Sequence, residues 1–208
     1  MAAISIEGII GAGKSSLCKT LHRLGRHVAP EPLETWTVGG KDLLRTYYSR
    51  PEKYAYLFQT HVLRSLDTLV ETKSRECTLP YFICERSTAS NALFATLQHD
   101  IGWLDDLEYA SYKQLYHASK TRYAAHIFLH ADVDVAMERV GARQREGEET
   151  VTREYQHKLY KLHESWQFHE TMMGKPVLII DTSVDDVRSE EVGRKIIDWI
   201  ETTVCPNL

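Results

Sequence analysis

Gly8-Ile9-Ile10-Gly11-Ala12-Gly13-Lys14-Ser15 gathers three glycines, a lysine and a hydroxyl into one short stretch. The spacing satisfies G-x-x-x-x-G-K-[ST], a phosphate-binding loop. Glycines admit backbone conformations that aim successive N–H groups at phosphate oxygens. A strand-like run, Ala3–Ile6, precedes the loop, and an amphipathic stretch from Lys14 to Leu24 follows it. The N-terminus of that helix adds positive potential where the phosphates sit. Lys14 is placed to reach the β- and γ-phosphates, and the Ser15 hydroxyl to ligate Mg²⁺. The loop implies binding of a nucleoside triphosphate and leaves the acceptor open.

Three further pieces carry charge where chemistry needs it. Glu85-Arg86-Ser87 ends the apolar run Tyr81-Phe82-Ile83-Cys84. Ligands of open α/β sheets bind at such strand ends. A carboxylate there can hold Mg²⁺ through water, and an arginine a reacting oxygen. His27-Val28-Ala29 leads into Pro30-Glu31-Pro32-Leu33-Glu34-Thr35-Trp36, where two prolines fix the backbone around Glu31. A carboxylate so held can take a proton from an attacking hydroxyl. Arg139 and Arg143, four apart, share a helix face, and Arg145 follows where glycines loosen the chain. Arginines on a mobile segment can stabilise the charge of a transferring phosphoryl group. Taken singly, each piece is also what a solvated loop or charged helix end carries.

Elements of a definite kind must position these groups. Apolar runs at Ala3–Ile6, His27–Ala29, Leu79–Cys84, Ala125–His130 and Val177–Ile180 alternate with longer amphipathic stretches. The alternation predicts β-α-β units around a parallel sheet buried on both faces. Helices are expected from about Lys14, Lys41, Pro51, Thr88, Asp105, Asp132, Thr152 and Val187. No repeat or Pro/Gly/Ser linker divides the 208 residues, so one domain spanning 1–208 is expected. The net charge of -4 points away from a nucleic-acid polymer as the main partner. Cys18, Cys77, Cys84 and Cys205 form neither a C-x-x-C pair nor a zinc spacing. No apolar run is long enough to cross a bilayer. Met1-Ala2-Ala3 leads straight into a strand-like segment, so a cytoplasmic location without a leader is expected.

Gly8–Ser15, Glu31–Trp36, Glu85-Arg86-Ser87 and Arg139–Glu148 occur in one order. That order resembles the deoxyribonucleoside kinase family, particularly its animal and viral branch with E-P-x-x-x-W and E-R-S motifs. The resemblance extends through Leu162-His163-Glu164-Ser165-Trp166. It implies an α/β P-loop kinase fold: a five-stranded parallel sheet flanked by helices, with an arginine-rich lid over about 139–151. It implies transfer of the ATP γ-phosphate to the 5′-hydroxyl of a deoxyribonucleoside in nucleotide salvage, with Mg²⁺, by a homodimer. Gly8, Gly11, Ala12, Gly13, Lys14, Ser15, Ser16, Arg139, Arg143 and Arg145 would hold ATP. Ser15 and Glu85 would serve the metal, and Glu31 would be the general base. Arg86 would touch the 5′-oxygen and the phosphoryl group. Trp36 would wall the nucleoside pocket, and Tyr48 with Glu148 would grip the 3′-hydroxyl. Gln59 would read the base, and Asp181 to Asp186 would cradle adenine.

Gln59, Val62 and Leu66 are spaced by three and four, so they share one face of a helix. A glutamine among apolar neighbours can bond a base edge while they pack on it. Two departures bear on the base. Family members often place a stacking phenylalanine ten residues after the E of E-R-S. Here Ala95 holds that position and Phe94 precedes it, so either the stacking ring is lost or the helix is shifted. Cytidine-preferring members carry an arginine and an aspartate where this chain has Leu66 and Asn91. The substitutions lean towards thymidine or broad pyrimidine use. A nucleoside monophosphate kinase, or a non-catalytic nucleotide-binding subunit of the same fold, are the alternatives.

Overall fold

The computed structural model describes residues 1–145 and 147–208; Glu146, inside the expected lid, lies outside the described residues. The element order begins β1 (Ala2–Glu7), α1 (Lys14–Arg23), β2 (Val28–Ala29), β3 (Thr37–Val38), β4 (Lys41–Asp42), α2 (Leu43–Ser49) and α3 (Pro51–Glu76). It continues β5 (Tyr81–Glu85), α4 (Thr88–Asp100), α5 (Asp106–Ala118), β6 (Tyr123–His130), α6 (Val133–Arg143), α7 (Arg153–Met172), β7 (Val177–Asp181) and α8 (Glu190–Trp199).

The strands form a five-stranded sheet in the order β2-β5-β1-β6-β7, and every pairing in it is parallel. This is the expected sheet, with β1 and its phosphate loop at the centre. Alternate residues leave on opposite faces. Ile4, Ile6, Ile83 and Ile127 pack with Leu17 and Leu21 of α1 and Ile196 of α8. Ala3, Phe82 and Cys84 pack with Val70 of α3. Both faces are covered, so the strands read as continuous apolar runs rather than alternating ones.

The helices start where side chains can cap them. Ser87, Asp105, Asp132, Thr152 and Ser189 each accept a hydrogen bond from a backbone N–H of the first turn that follows. Pro51 is the first residue of α3, where a missing N–H costs nothing. The expected helix from Lys41 begins later. Thr37-Val38 and Lys41-Asp42 pair antiparallel across Gly39-Gly40, both at positive φ, and Asp42 then caps α2. Two glycines between short strands are a tight-hairpin signal. The last helix likewise starts after Ser189 rather than at Val187. Among the described residues no helix is long and apolar enough to cross a membrane.

Candidate active site

The C-terminal ends of β1, β2 and β5 open into one cleft of about 730 Å³. Its lining includes Lys14, Ser15 and Ser16 from α1, Glu31 from the segment after β2, and Glu85 and Arg86 from β5 and its end. Arg139, Arg143, Arg145 and Glu148 come from the α6 end and the segment beyond it. Four charged groups from three separate stretches of sequence, at positions 14, 31, 85 and 86, therefore face one space.

At the phosphate end the backbone does most of the positioning. Gly13 is the left-handed residue before α1, and no side chain caps that helix. Its first N–H groups are left for an anion. Gly11 admits no side chain, because a Cβ there would collide with Ala136 O. Lys14 Nζ donates to Gly8 O and Ile9 O, each at 2.8 Å. Burial, with the charge of Arg86 second, pulls the Lys14 ammonium down to about 7, while Glu31, Glu85 and Glu7 pull upward. Ser15 Oγ donates to Glu85 Oε1 at 2.5 Å. That places a hydroxyl and a carboxylate, both hard oxygen donors of the kind Mg²⁺ takes, side by side on the lining. Gly8 and Ala12, expected to hold ATP, are buried and are not part of the lining.

Arg86 is held from several sides. Its φ is +75°, a left-handed conformation unusual for a non-glycine residue. Its Nε donates to Glu31 Oε1 at 2.6 Å and its NH1 to Ser90 Oγ at 3.1 Å. The guanidinium lies 4.8 Å from the Phe94 ring centroid. Burial acts to lower the Arg86 pKa, but the charge and hydrogen bond of Glu31, with the charges of Glu7 and Glu85, together outweigh it, and the net shift is upward. Behind these groups lies Glu7, fully buried on β1. Burial raises its pKa, against the opposing pull of Ser5, Ser87, Arg86 and Lys14. Nothing in the sequence marked Glu7 out, since it reads as the last residue of a strand.

The other end of the cleft is aromatic and amide-rich. Trp36, Tyr48, Gln59, Val62 and Asn91 all line it, as do Tyr47, Phe58, Phe94, Gln98, Trp103 and Tyr155. Trp36 meets Phe58 edge-on at 5.4 Å, and its Nε1 donates to Ser65 Oγ. Phe58 stacks on Tyr47 at 4.5 Å. Asn91 Nδ2 donates to Gln59 Oε1, and Tyr112 Oη donates to Asn91 Oδ1, both at 2.5 Å. Phe94 faces the cleft while Ala95 is fully buried. Helix α4 thus presents its phenylalanine one position earlier than the family spacing implied. Leu66 does not join Gln59 and Val62 on the lining and instead packs in the helical cluster behind them. It shares their face but lies two turns from Gln59, about 10 Å along the axis, beyond the cleft.

The lid arginines divide their contacts. Arg143 forms a two-pronged pair with Glu148 through Nε and NH2, and Arg145 NH1 lies 3.5 Å from the same carboxylate. Arg139 instead donates to Thr182 Oγ1 and Thr182 O, both at 3.3 Å. Tyr48 lies beside Glu148; burial first, and then that carboxylate, raise the pKa of its hydroxyl. Thr182 to Arg188 complete the lining beyond the phosphate loop. Phe94 was named in the sequence, and Tyr47 and Phe58 each adjoin a residue singled out there. Trp103 and Tyr155 had no such neighbour, being stacked at 5.7 Å from separate parts of the chain.

Comparison with known proteins bears on the family and the fold. The family model for deoxynucleoside kinase matches residues 4–206. A fowlpox virus protein described as a probable deoxycytidine kinase is 35% identical over 214 residues, covering 95% of this chain and 87% of its own length. Deoxycytidine kinase 2 of Gallus gallus is 28% identical over 236 residues, covering 96% of this chain and 89% of its own. The solved structure of a deoxyadenosine kinase from M. mycoides, with dCMP and dCDP bound, superposes with a TM-score of 0.81. At 22% identity it covers 96% of this chain and 99% of that one, which speaks for the fold. The chain belongs to the deoxynucleoside kinase family and is an ATP-dependent kinase.

Proposed function

We propose that this kinase transfers the ATP γ-phosphoryl group to the 5′-hydroxyl of a pyrimidine deoxyribonucleoside, with Glu31 as general base. The observation that carries this is the meeting of Lys14, Glu31, Glu85 and Arg86 on one cleft whose far end is lined by Trp36, Phe58, Gln59 and Phe94. The triphosphate lies along the loop and α1, and the nucleoside lies between Glu31 and the aromatic end. Glu31 Oε1 takes the Arg86 hydrogen bond, and Oε2 receives the 5′-proton as the oxygen attacks in line. Arg86 holds the 5′-oxygen and the moving phosphoryl group, and Lys14 binds the β- and γ-oxygens. Ser15 and Glu85 are the residues that would hold Mg²⁺, which would offset the charge of the phosphates. Tyr48 and Glu148 take the 3′-hydroxyl, and Glu148 in turn anchors Arg143 and Arg145 across the cleft. Ser183 to Asp186, which join the lining beside the phosphate loop, hold the adenine.

Leu66 and Asn91 stand where cytidine-preferring family members carry an arginine and an aspartate, whereas the animal and viral relatives are named for deoxycytidine. Broad pyrimidine use, in nucleotide salvage by a cytoplasmic homodimer, accommodates both. The test is a transfer assay with the four deoxyribonucleosides, the ribonucleosides and the nucleoside monophosphates. Turnover of deoxycytidine and thymidine is expected to exceed the rest. Preference for a monophosphate acceptor would overturn the proposal, and absence of transfer to any acceptor would leave a nucleotide-binding subunit.

A further inference from the structure

Tyr112 of α5 does not line the cleft, yet it is connected to it. It is 1% exposed, and its hydroxyl donates to Asn91 Oδ1. Asn91 Nδ2 then donates to Gln59 Oε1, and Gln59 lines the cleft. Three buried polar side chains from three helices form one directed relay. Burial pushes the Tyr112 hydroxyl far above its ordinary pKa, so it keeps its proton.

The relay cannot change direction piecemeal. Turning the Gln59 amide alone would set two NH₂ groups face to face at hydrogen-bond distance. Asn91 must turn with it, and Tyr112 must then accept where it now donates. A hydroxyl can do either. Accepting from Asn91, however, takes its own proton away from the buried acceptor it now has. The phenol therefore biases the whole relay towards one polarity. An amide turned one way offers donor and acceptor to a base edge in one order, and turned the other way in the reverse order. An amino-pyrimidine edge and a lactam edge require opposite orders.

We infer that Tyr112 is a positioning residue for base choice: acting through Asn91, it fixes the polarity of the Gln59 amide and so favours one class of pyrimidine edge over the other. The inference rests on the reading of this cleft as a pyrimidine deoxyribonucleoside site. It assigns to a residue outside the cleft a specificity role that neither the loop nor the lid carries.

The test is internal competition, with deoxycytidine and thymidine phosphorylated together and both products measured. The product ratio does not depend on how much enzyme is folded. The wild-type chain is expected to prefer one nucleoside clearly. Tyr112→Phe keeps the ring and removes the bias, so the ratio is expected to move towards unity by about fivefold, the worth of one neutral hydrogen bond. Asn91→Asp replaces an amide that donates to Gln59 with a carboxylate that only accepts. Gln59 must then turn its Nε2 towards position 91, and the preferred nucleoside is expected to switch. A wild-type ratio near one, a ratio unmoved in Tyr112→Phe, or an unswitched preference in Asn91→Asp would each overturn the relay. Should Tyr112→Phe fail to fold, Asn91→Asp decides alone. A wild-type chain that phosphorylates neither nucleoside sinks the functional reading itself, and the relay with it.

Discussion

The two ends of the cleft are built on different principles. At the end proposed to take phosphate, one contiguous segment supplies the loop after β1, the N-terminus of α1 and the Lys14 ammonium, and the arginines come from elsewhere. At the proposed base end the lining comes from side chains of α2, α3, α4 and α7 that meet only through packing, such as Tyr47, Gln59, Phe94 and Tyr155. Phosphate is a fixed shape with a fixed charge, so a fixed backbone suffices for it. A base edge differs by one donor or acceptor, so reading it needs polar side chains held by other side chains. Damage at the first end should therefore abolish turnover outright. Damage at the second should change which substrate is used, and how tightly.

The largest effect is expected from Lys14→Ala. It removes the charge aimed at the transferring group, and the transfer rate should fall by about 10³. Steady-state transfer at saturating nucleoside measures it, and near-normal turnover would show that the loop binds something other than the reacting phosphates. Next comes Glu31→Gln. The amide can still meet Arg86, so the arginine is not left buried alone, but it cannot take a proton. The kcat should fall by about 10² or more while nucleoside affinity, read by calorimetry, stays within a few-fold. An affinity collapse with unchanged kcat would move Glu31 from chemistry to binding.

The same contrast explains how much was legible beforehand. Residues 8–15 carry their signal in one contiguous stretch, so the loop, its strand and its helix can be read without the rest of the chain. Gln59 and Asn91 were visible as residue types, but their bond joins positions 32 apart and its partner Tyr112 lies 21 further on. No local period encodes that. Leu66 shows the limit of helical spacing: a shared face is necessary for lining a cleft, but a helix of 26 residues outruns the cleft it borders. The β3–β4 hairpin was signalled by Gly39-Gly40, but its two-residue strands are too short for alternation to register. Glu7 was invisible for another reason. A carboxylate at a strand end reads as solvated, and only the packed sheet reveals it as fully buried.

Acid should act through His163, which is buried behind the cleft beside the Ser90 that holds Arg86. Its Nδ1 lies 2.9 Å from Leu159 O, and its Nε2 lies 3.4 Å from the Ser90 hydroxyl that accepts from Arg86. Burial first, and the charges of Arg86 and Lys14 after it, pull its pKa from 6.5 down to about 3. The unfolded chain takes up a proton below about pH 6.5 that the folded chain refuses, so the contribution is intact above that pH and is lost as pH falls. The expected loss is on the order of 1 kcal/mol per pH unit below about 6.5. Urea unfolding at stepped pH measures the slope. His163→Asn should flatten it, and an unchanged slope would place the acid sensitivity elsewhere. Gln59→Ala is expected to act more locally. It should raise the nucleoside KM about tenfold by removing the base contact, while the KM for ATP stays put. Equal rises in both would mean that the two ends are not separable.

The smallest effect is expected where the two ends touch, at Gly147. Its φ is +90°, and an added Cβ would lie 2.6 Å from Tyr48 Cβ. Gly147→Ala must therefore either strain its own backbone or push the segment carrying Glu148 away from Tyr48. The first costs on the order of 1 kcal/mol. The second loosens the pairing of Glu148 with Arg143 without removing any charged group. In either case the contact proposed to hold the sugar weakens while Lys14, Glu31 and Arg86 keep their places. The nucleoside KM should rise roughly threefold to tenfold, with a smaller fall in kcat, because strain of that size spreads between binding and closure. Tyr48→Phe provides the contrast, since it keeps the ring that packs on Gly147 and removes only the hydroxyl. If both variants raise KM for deoxyribonucleosides, the contact and the hydroxyl act together. If Gly147→Ala lowers kcat alone and leaves KM unchanged, the segment serves the phosphoryl group rather than the sugar, and the boundary between the two ends must be moved.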